Sequence, residues 1–290
     1  MDTRTIRCLF LFLFPLFLNG WGSPVSNDRA SLEAHLESYG SFSKAPLPGG
    51  NSYDTIFKIK GPYYTWVLRA LNPKRSFKKR KMVCEATQII GEKGLGPKVI
   101  WYSDAYYFLI TEFVEGSHLT SKDIEDPFIF RRLVWLIKKS HKALSHLSSS
   151  LKPYPLKDRA LRRLSEIKKH IPHSLDVKVR KKIEESSVRS VSSLPFLAHN
   201  DIKGPNILRQ GRVLFLIDWG EGGPSSLYDD LGKLAFHFNL NTSQEDSLLT
   251  LYHGRNPTED EKKVLENHRW LAGMHQTLWK LRRGLKSKKQ

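Results

Sequence analysis

Sulfur is scarce in this 290-residue chain, which has two cysteines, Cys8 and Cys84, and three methionines. Two cysteines build neither a disulfide framework nor a cysteine zinc cluster. Acidic residues are also few, 29 against 47 basic ones, and the net charge is +18. Such a surface favours anionic partners, whether phosphate compounds, nucleic acid or an acidic membrane face. The interleaving of aromatic and basic residues that marks RNA-binding modules is lacking, so nucleic acid is not expected. No apolar run reaches the roughly 20 residues needed to span a bilayer. The run at residues 8–18 is eleven long and broken by Pro15. There is no internal repeat. What is present is ordinary for a globular protein: 40% hydrophobic and 26% charged residues, which excludes a mainly disordered chain, a collagen and a multi-span membrane protein.

The first residues stand apart. Arg4 and Arg7 precede the apolar run, and Gly20, Gly22 and Ser23 follow it. A basic start, a short apolar stretch and a small-residue exit describe a secretory signal peptide, with cleavage near Ser23. The same residues also suit an interfacial anchor or a mis-assigned start. Residues 1–22 are therefore set aside as a signal-like or anchor segment.

From about residue 31 the pattern is globular. Residues 31–39 read as a short helix and residues 46–51 as a turn. Residues 55–59 and 63–70 are β-rich, with Gly61 and Pro62 between them as a hairpin signal. Residues 78–92 read as a helix closed by Gly94. Strands follow at 99–102 and 106–113. Residues 127–147 keep the three-and-four apolar spacing of a long amphipathic helix. Residues 156–191 and 244–283 are helical again, the first basic and serine-rich. The fold class expected is α+β. A small antiparallel β lobe with one inserted helix, residues 31–115, precedes a larger mainly helical lobe, residues 116–283, and a basic tail, residues 284–290.

The chemistry-bearing stretch is LAHNDIKGPNILRQGRVLFLIDWG, residues 197–220. Residues 206–209 and 212–217 are strand-like runs joined by Gln210 and Gly211, a two-residue hairpin turn. That pairing sets Arg209 opposite Arg212 and Asn206 opposite Phe215. It also gathers Asp201, Asn206 and Asp218 at the open end. An oxygen-rich group of this kind can hold magnesium and leave a third member as a base.

His199-x-Asp201-x4-Asn206, followed by Ile217-Asp218-Trp219, resembles the catalytic loop and metal motif of protein-kinase-like phosphotransferases. It is most similar to the branch of choline/ethanolamine kinases and aminoglycoside phosphotransferases. The resemblance spans roughly residues 31–283 and implies the two-lobed protein-kinase-like fold. It makes Asp201 the base for the substrate hydroxyl and Asn206 and Asp218 ligands of Mg2+ on the phosphates of ATP. Lys203 then approaches the transferred phosphate and His199 braces the loop. Upstream, Arg69 stands where these enzymes carry their phosphate-binding basic residue, with Glu85 on the next helix as its ion-pair partner. Residues 94–98 resemble the family's Gly-Leu-Gly-Pro segment, and residues 110–116 its interlobe hinge, where adenine would meet backbone near Glu112, Phe113 and Val114. The phosphate loop falls at Gly49, Gly50, Asn51 and Ser52, where glycine lets amides approach phosphate. Here the sequence departs from the family's apolar residue, Ser/Thr and Asn after the glycines.

The acceptor is expected to be a small-molecule hydroxyl compound held by the helical lobe. Trp219, Tyr228, Trp270 and Trp279 could cage a quaternary ammonium, and Glu221 and Asp229 could receive an amine or sugar hydroxyl. The leading expectation is therefore an ATP- and magnesium-dependent kinase of a choline- or ethanolamine-type amino alcohol. Aminoglycosides, thiamine and sugars are alternative acceptors, and a non-catalytic binding or effector protein is the alternative class. The basic clusters at 74–81, 162–182 and 282–289 read as solvated helix faces, with an anionic membrane surface as a second partner. ATP use favours the cytoplasm, with membrane association through residues 8–18, over export.

Overall fold

The computed structural model describes residues 25–47, 54–147, 151–186 and 196–287. The signal-like segment and the four loop residues Gly49, Gly50, Asn51 and Ser52 lie outside these. The described residues form two compact units. One comprises the chain up to Lys81 with Ile100–Thr111, and the other comprises Met82–Val99 with the chain from Glu112 onward. The architecture is mixed α+β.

The first unit carries helix α1 (Ser26–Glu37) and a sheet of β1 (Ser43–Pro46), β2 (Thr55–Lys60), β3 (Thr65–Ala70), β4 (Val99–Tyr102) and β5 (Phe108–Glu112), in the order β1-β2-β3-β5-β4. The β2–β3 hairpin turns at Gly61, whose N–H donates to the Tyr64 carbonyl at 3.0 Å. Apolar alternation on β2 and β3 buries Phe57, Ile59, Trp66 and Leu68 on one face, against Leu32 and Leu36 of α1 and Phe108 and Ile110 of β5. Burial of a large side chain of this kind stabilises by about 1.5–3 kcal/mol. The carboxylate of Asp28 on α1 is buried and accepts from the N–H groups of Ala105 and Tyr107, both at 3.3 Å, which fastens the helix to the β4–β5 turn. Strand β1 is a feature that the turn reading of residues 46–51 overlooks, since its SKAP sequence has little β propensity.

Helix α2 (Phe77–Glu92) crosses the boundary between the units. It ends in a Schellman turn: Gly94 takes φ +65° and the Leu95 N–H donates to the Ile90 carbonyl at 3.0 Å. In the second unit follow β6 (Ser117–His118), α3 (Pro127–Ala143), α4 (Leu156–Ile167), α5 (His173–Glu185), β7 (Phe196–Ala198), β8 (Ile207–Gln210), β9 (Val213–Leu216), β10 (Gly223–Ser225), α6 (Leu227–His237), α7 (Thr242–His253) and α8 (Glu259–Ser287). Strand β8 lies between β6 and β9, and β7 pairs with β10. Helix α3 starts where Asp126 accepts from the Phe128 N–H at 2.8 Å with Pro127 in the first turn. Helices α4 and α8 share a core of Leu156, Leu164, Ile167, Leu271 and Leu278. No described helix is long and apolar enough to cross a membrane.

Three sequence expectations are corrected here. The helical stretch 156–191 is interrupted by Pro172, which separates α4 from α5, and the stretch 244–283 is broken at Gly254, where φ is +77°. The β8–β9 hairpin turns at Gly211 and Arg212, not at Gln210 and Gly211. The register pairs Ile207 with Leu216, Arg209 with Leu214 and Gln210 with Val213. The reason is conformational: a two-residue hairpin with glycine first needs positive φ at that glycine, and Gly211 has φ +61°. The Arg209–Arg212 and Asn206–Phe215 pairings therefore do not occur.

Candidate active site

The corrected register brings Asn206 beside Ile217, whose N–H donates to the Asn206 carbonyl at 3.0 Å. Asp218 is the next residue, so the carboxamide and the carboxylate sit at the same end of the hairpin. Asp218 has φ +64° and ψ +68°, the left-handed conformation, and its Oδ1 accepts from the Gly220 N–H at 3.1 Å. Asp and Asn are the non-glycine residues that adopt this conformation most readily.

The loop of residues 199–206 is held from beneath. The buried carboxylate of Asp230, at the start of α6, accepts the N–H of His199 at 2.7 Å and that of Asn200 at 2.6 Å. Its Oδ2 also meets His141 Nε2 at 3.0 Å, and His141 Nδ1 meets the Tyr252 hydroxyl at 2.6 Å. Burial alone would raise the Asp230 carboxyl, but the hydrogen bonds and nearby imidazoles hold it below the ordinary carboxylate range. Asn200 has φ +63°, and its amide donates to the Gly223 carbonyl at 3.1 Å. Lys233, buried on α6, donates to the Asn200 carbonyl.

His199 is buried, and its ring roles follow from its partners. Nε2 faces the Ile217 carbonyl at 2.9 Å and so carries the proton, while Nδ1 accepts the Asp201 N–H at 3.2 Å. That is the neutral tautomer, and burial pushes the imidazole below its usual value. The ring packs on Trp219 with centroids 4.7 Å apart.

Asp201 follows. Its Oδ2 accepts from Asn206 Nδ2 at 2.9 Å and pairs with Lys203 Nζ at 2.7 Å. Asn206 Nδ2 also donates to the Asp201 carbonyl at 2.8 Å. Both of these partners are acceptors, so the nitrogen of the carboxamide must face them and Oδ1 points elsewhere. No described residue takes Asn206 Oδ1 or Asp201 Oδ1. Gly204, between the two, lies so close to the Leu119 carbonyl oxygen that a Cβ would collide with it. Gly96 is equally confined, 2.8 Å from the Leu216 carbonyl oxygen to a built Cβ, and the Leu216 N–H donates to the Leu95 carbonyl at 2.8 Å. The Gly-Leu-Gly-Pro segment thus docks on β9.

The donor set suits magnesium. Asn206 Oδ1 and Asp218 are hard oxygen ligands, and Mg2+ commonly takes one or two protein oxygens with the remainder from phosphate and water. Among the described residues no three His, Cys, Asp or Glu side chains gather as a metal cluster.

In the first unit, Arg69 is buried on β3 and held by Asp54, Nη2 to Oδ2 at 2.6 Å and Nε to Oδ2 at 2.9 Å. Asp54 Oδ1 also accepts from Arg75 Nε at 3.3 Å and the Asn72 N–H at 2.9 Å. Glu85 lies on α2, in the part belonging to the second unit. Glu112 ends β5 with its N–H on the Lys98 carbonyl at 2.9 Å, and Phe113 and Val114 follow, half-buried.

Among the described residues, the four aromatic side chains named for a cage make their ring contacts with other groups and not with one another. Trp219 is 1% exposed and packs on His199; Tyr228 packs on His253 and His268. Trp270 carries Lys182 over its face and Trp279 carries Arg283. Asp229 is buried, accepting from the Leu156 N–H at 3.0 Å and the Ser225 hydroxyl, with His268 at 3.4 Å. Glu221 is half exposed and lies 3.5 Å from Arg159. The roles of Asp230 and Lys233 in organising the loop escaped the sequence reading. The one signal for them was charge at positions 229, 230 and 233 in a helix whose other residues are mostly apolar.

The profile of the APH phosphotransferase enzyme family matches residues 45–273. No curated protein sequence matches the chain. Among solved structures, the chain is similar to a choline/ethanolamine kinase family protein from Mesorhizobium loti, with 19% identity and a TM-score of 0.67 over 91% of this chain and 87% of that one. It is similar to the choline kinase LicA from Streptococcus pneumoniae, with 15% identity and a TM-score of 0.67 over 89% and 91%. It is also similar to the aminoglycoside phosphotransferase APH(2")-IIa in a ternary complex with streptomycin and ATP, with 17% identity and a TM-score of 0.58 over 86% and 90%.

Proposed function

Because this chain belongs to the APH phosphotransferase enzyme family, we propose that it transfers the γ-phosphoryl group of ATP to a hydroxyl of a small molecule. The observation that carries this reading is the state of Asp201. Asn206 and Lys203 fix Oδ2, while Oδ1 is left open to receive a proton. A carboxylate oriented on one oxygen and open on the other is what a positioned general base requires.

The residues divide the work. Asp201 takes the hydroxyl proton. Asn206 orients Asp201 through its nitrogen and offers its oxygen to the cation. Asp218 is the second ligand. Magnesium held there would neutralise charge on the phosphates. Lys203 Nζ, beside Asp201, is the cation nearest the incoming nucleophile, and Arg69 is the phosphate-binding cation of the first unit. His199 acts through backbone, holding the Ile217 carbonyl and the Asp201 N–H so that both metal-side residues keep their positions. The nucleotide assignment draws on the ATP held in the similar aminoglycoside phosphotransferase complex.

The test is phosphorus NMR of the full chain with magnesium-ATP and a pool of choline, ethanolamine, thiamine, aminoglycosides and sugars. A phosphomonoester signal that disappears in Asp201→Asn is expected. ATP binding without any Asp201-dependent product would overturn the reading.

A further inference from the structure

A largely buried cationic group lies beside the loop of residues 199–206. Lys233 and His237 stand one turn apart on α6; Arg159 and Arg163 stand one turn apart on α4, with Arg162 beside them; His275 lies on α8. Both α4 and α6 pack on α8. His237 has Lys233, Asp201, Lys203 and Lys280 as its charged neighbours. His275 has Lys233, Arg159, Arg163 and Arg162. The group adjoins the base directly, because Lys233 is bound to the carbonyl of Asn200, the residue before Asp201.

Carboxylates balance only part of this charge: Arg159 faces Glu221 at 3.5 Å, Lys203 pairs with Asp201, and Lys233 has Asp201, Asp229 and Asp230 among its charged neighbours. Asp229 and Asp230 are turned inward and occupied by backbone N–H groups, Ser225, His141 and His268. Glu166 is shared between Arg163 at 3.2 Å and Arg282 at 2.5 Å. Neither Lys233 nor Arg162 pairs with a carboxylate among the described residues, and the Arg162 guanidinium lies over the Tyr154 ring at 5.4 Å. Polar atoms are also left unused. Arg163 Nε is buried without a partner. The rings of His237 and His275 are partly buried, and no described residue hydrogen-bonds either one. Burial and then the charge of Lys233 hold them at about 4 and about 2, so both are neutral donors at pH 7. A cation entering this ground would meet like charge in a partly desolvated place, whereas an anion would complete it.

We propose that the acceptor carries an anionic group, a phosphate or a carboxylate, held by Lys233, Arg162 and Arg163 with His237 and His275 donating to it, while its hydroxyl meets Asp201. This rests on the phosphotransferase reading of Asp201. In the step, the acceptor O–H bond breaks and its proton passes to Asp201 Oδ1. The hydroxyl oxygen bonds to the γ-phosphorus, and the bond from that phosphorus to the β,γ-bridging oxygen breaks, its electron pair leaving with ADP.

The experiment has a binding arm and a turnover arm, both on the full chain. Inorganic phosphate, sodium acetate and choline chloride are titrated separately while the imidazole resonances of His237 and His275 are followed by NMR. These are assigned with His237→Gln and His275→Gln. Phosphate and acetate are expected to give saturating shifts with raised imidazole titration points, and choline chloride none. Lys233→Met should weaken the response about tenfold. Arg162→Gln, at an exposed position, should weaken it several-fold and keeps the arm decisive if Lys233→Met does not fold. In the second arm, glycerol phosphate, glycerate, glycerol and choline compete as acceptors with magnesium-ATP. One of the two anionic alcohols should exceed glycerol at least tenfold in kcat/KM, and which one does so distinguishes phosphate from carboxylate. Asp201-dependent turnover of choline or glycerol equal to that of the anions would overturn the anionic acceptor and leave phosphotransfer standing. Imidazole shifts with no Asp201-dependent product from any of the four would overturn phosphotransfer and leave an anion site. Absence of shifts with both anions overturns the proposal outright.

Discussion

At Asp201 a single atom separates base from bystander. Asp201→Asn keeps the shape and the hydrogen bonds but removes the proton acceptor, so kcat should fall by about 10²–10⁴ with nucleotide affinity changed less than about threefold. Phosphorus NMR and a nucleotide titration read the two quantities separately. The buried histidines set a second expectation. His237 is held at about 4 and His275 at about 2 against the ordinary 6.5. The unfolded chain therefore binds protons at a higher pH than the folded one. The stability they contribute is complete above 6.5 and is lost as pH falls from 6.5, toward about 4 for His237 and about 2 for His275. Asp230 adds its own loss below the ordinary carboxylate range, because its folded value is depressed. In a phosphate-free buffer, Tm should decline between pH 7 and pH 5, and His237→Gln should flatten that slope.

At the level of elements, close backbone approaches decide which glycines are fixed. A Cβ on Gly232 would stand 2.6 Å from the backbone of His268, where α6 meets α8. Gly232→Ala should cost about 1–3 kcal/mol, read as a lower denaturation midpoint at unchanged slope. Gly204→Ala would push the catalytic loop off the Leu119 carbonyl, so a larger loss is expected in kcat than in Tm. Much of the element order was legible: the 3.6-residue spacing of α3, the two-residue alternation of β2 and β3, and the Gly94 stop are local signals. So was the spacing of Asp201, Asn206 and Asp218. Strand β1 and the hairpin register were not. The first is imposed by pairing with β2 rather than by its own residues, and the second turned on which of two adjacent positions would accept positive φ. The roles of Asp230 and Lys233 went unread because their partners in the loop are backbone groups thirty or so residues away, and no sequence pattern records such a contact.

For the molecule as a whole, the excess of 18 positive charges is spread over both units. Part of its attraction for polyphosphate is long-range and screened by salt, since the Debye length shrinks from about 10 Å at 0.1 M to about 3 Å at 1 M. ATP affinity should therefore fall as sodium chloride rises from 0.05 to 0.5 M. The loss should exceed that of a variant with Lys78, Lys79 and Lys81 changed to glutamine, measured by isothermal titration across the same series.

The pair of hydrogen bonds from His199 and Asn200 to Asp230 bears on how the protein opens. Those two amides lie in a loop outside any strand ladder, yet both are buried and bonded at 2.7 and 2.6 Å to a carboxylate that is itself anchored through His141 to Tyr252. In hydrogen–deuterium exchange they should behave as core, exchanging through global rather than local opening. The catalytic loop would then be among the last parts of the protein to loosen. Adjustment to different acceptors would fall to the long side chains of α4 and α8, whose exposed ends can re-form at low cost.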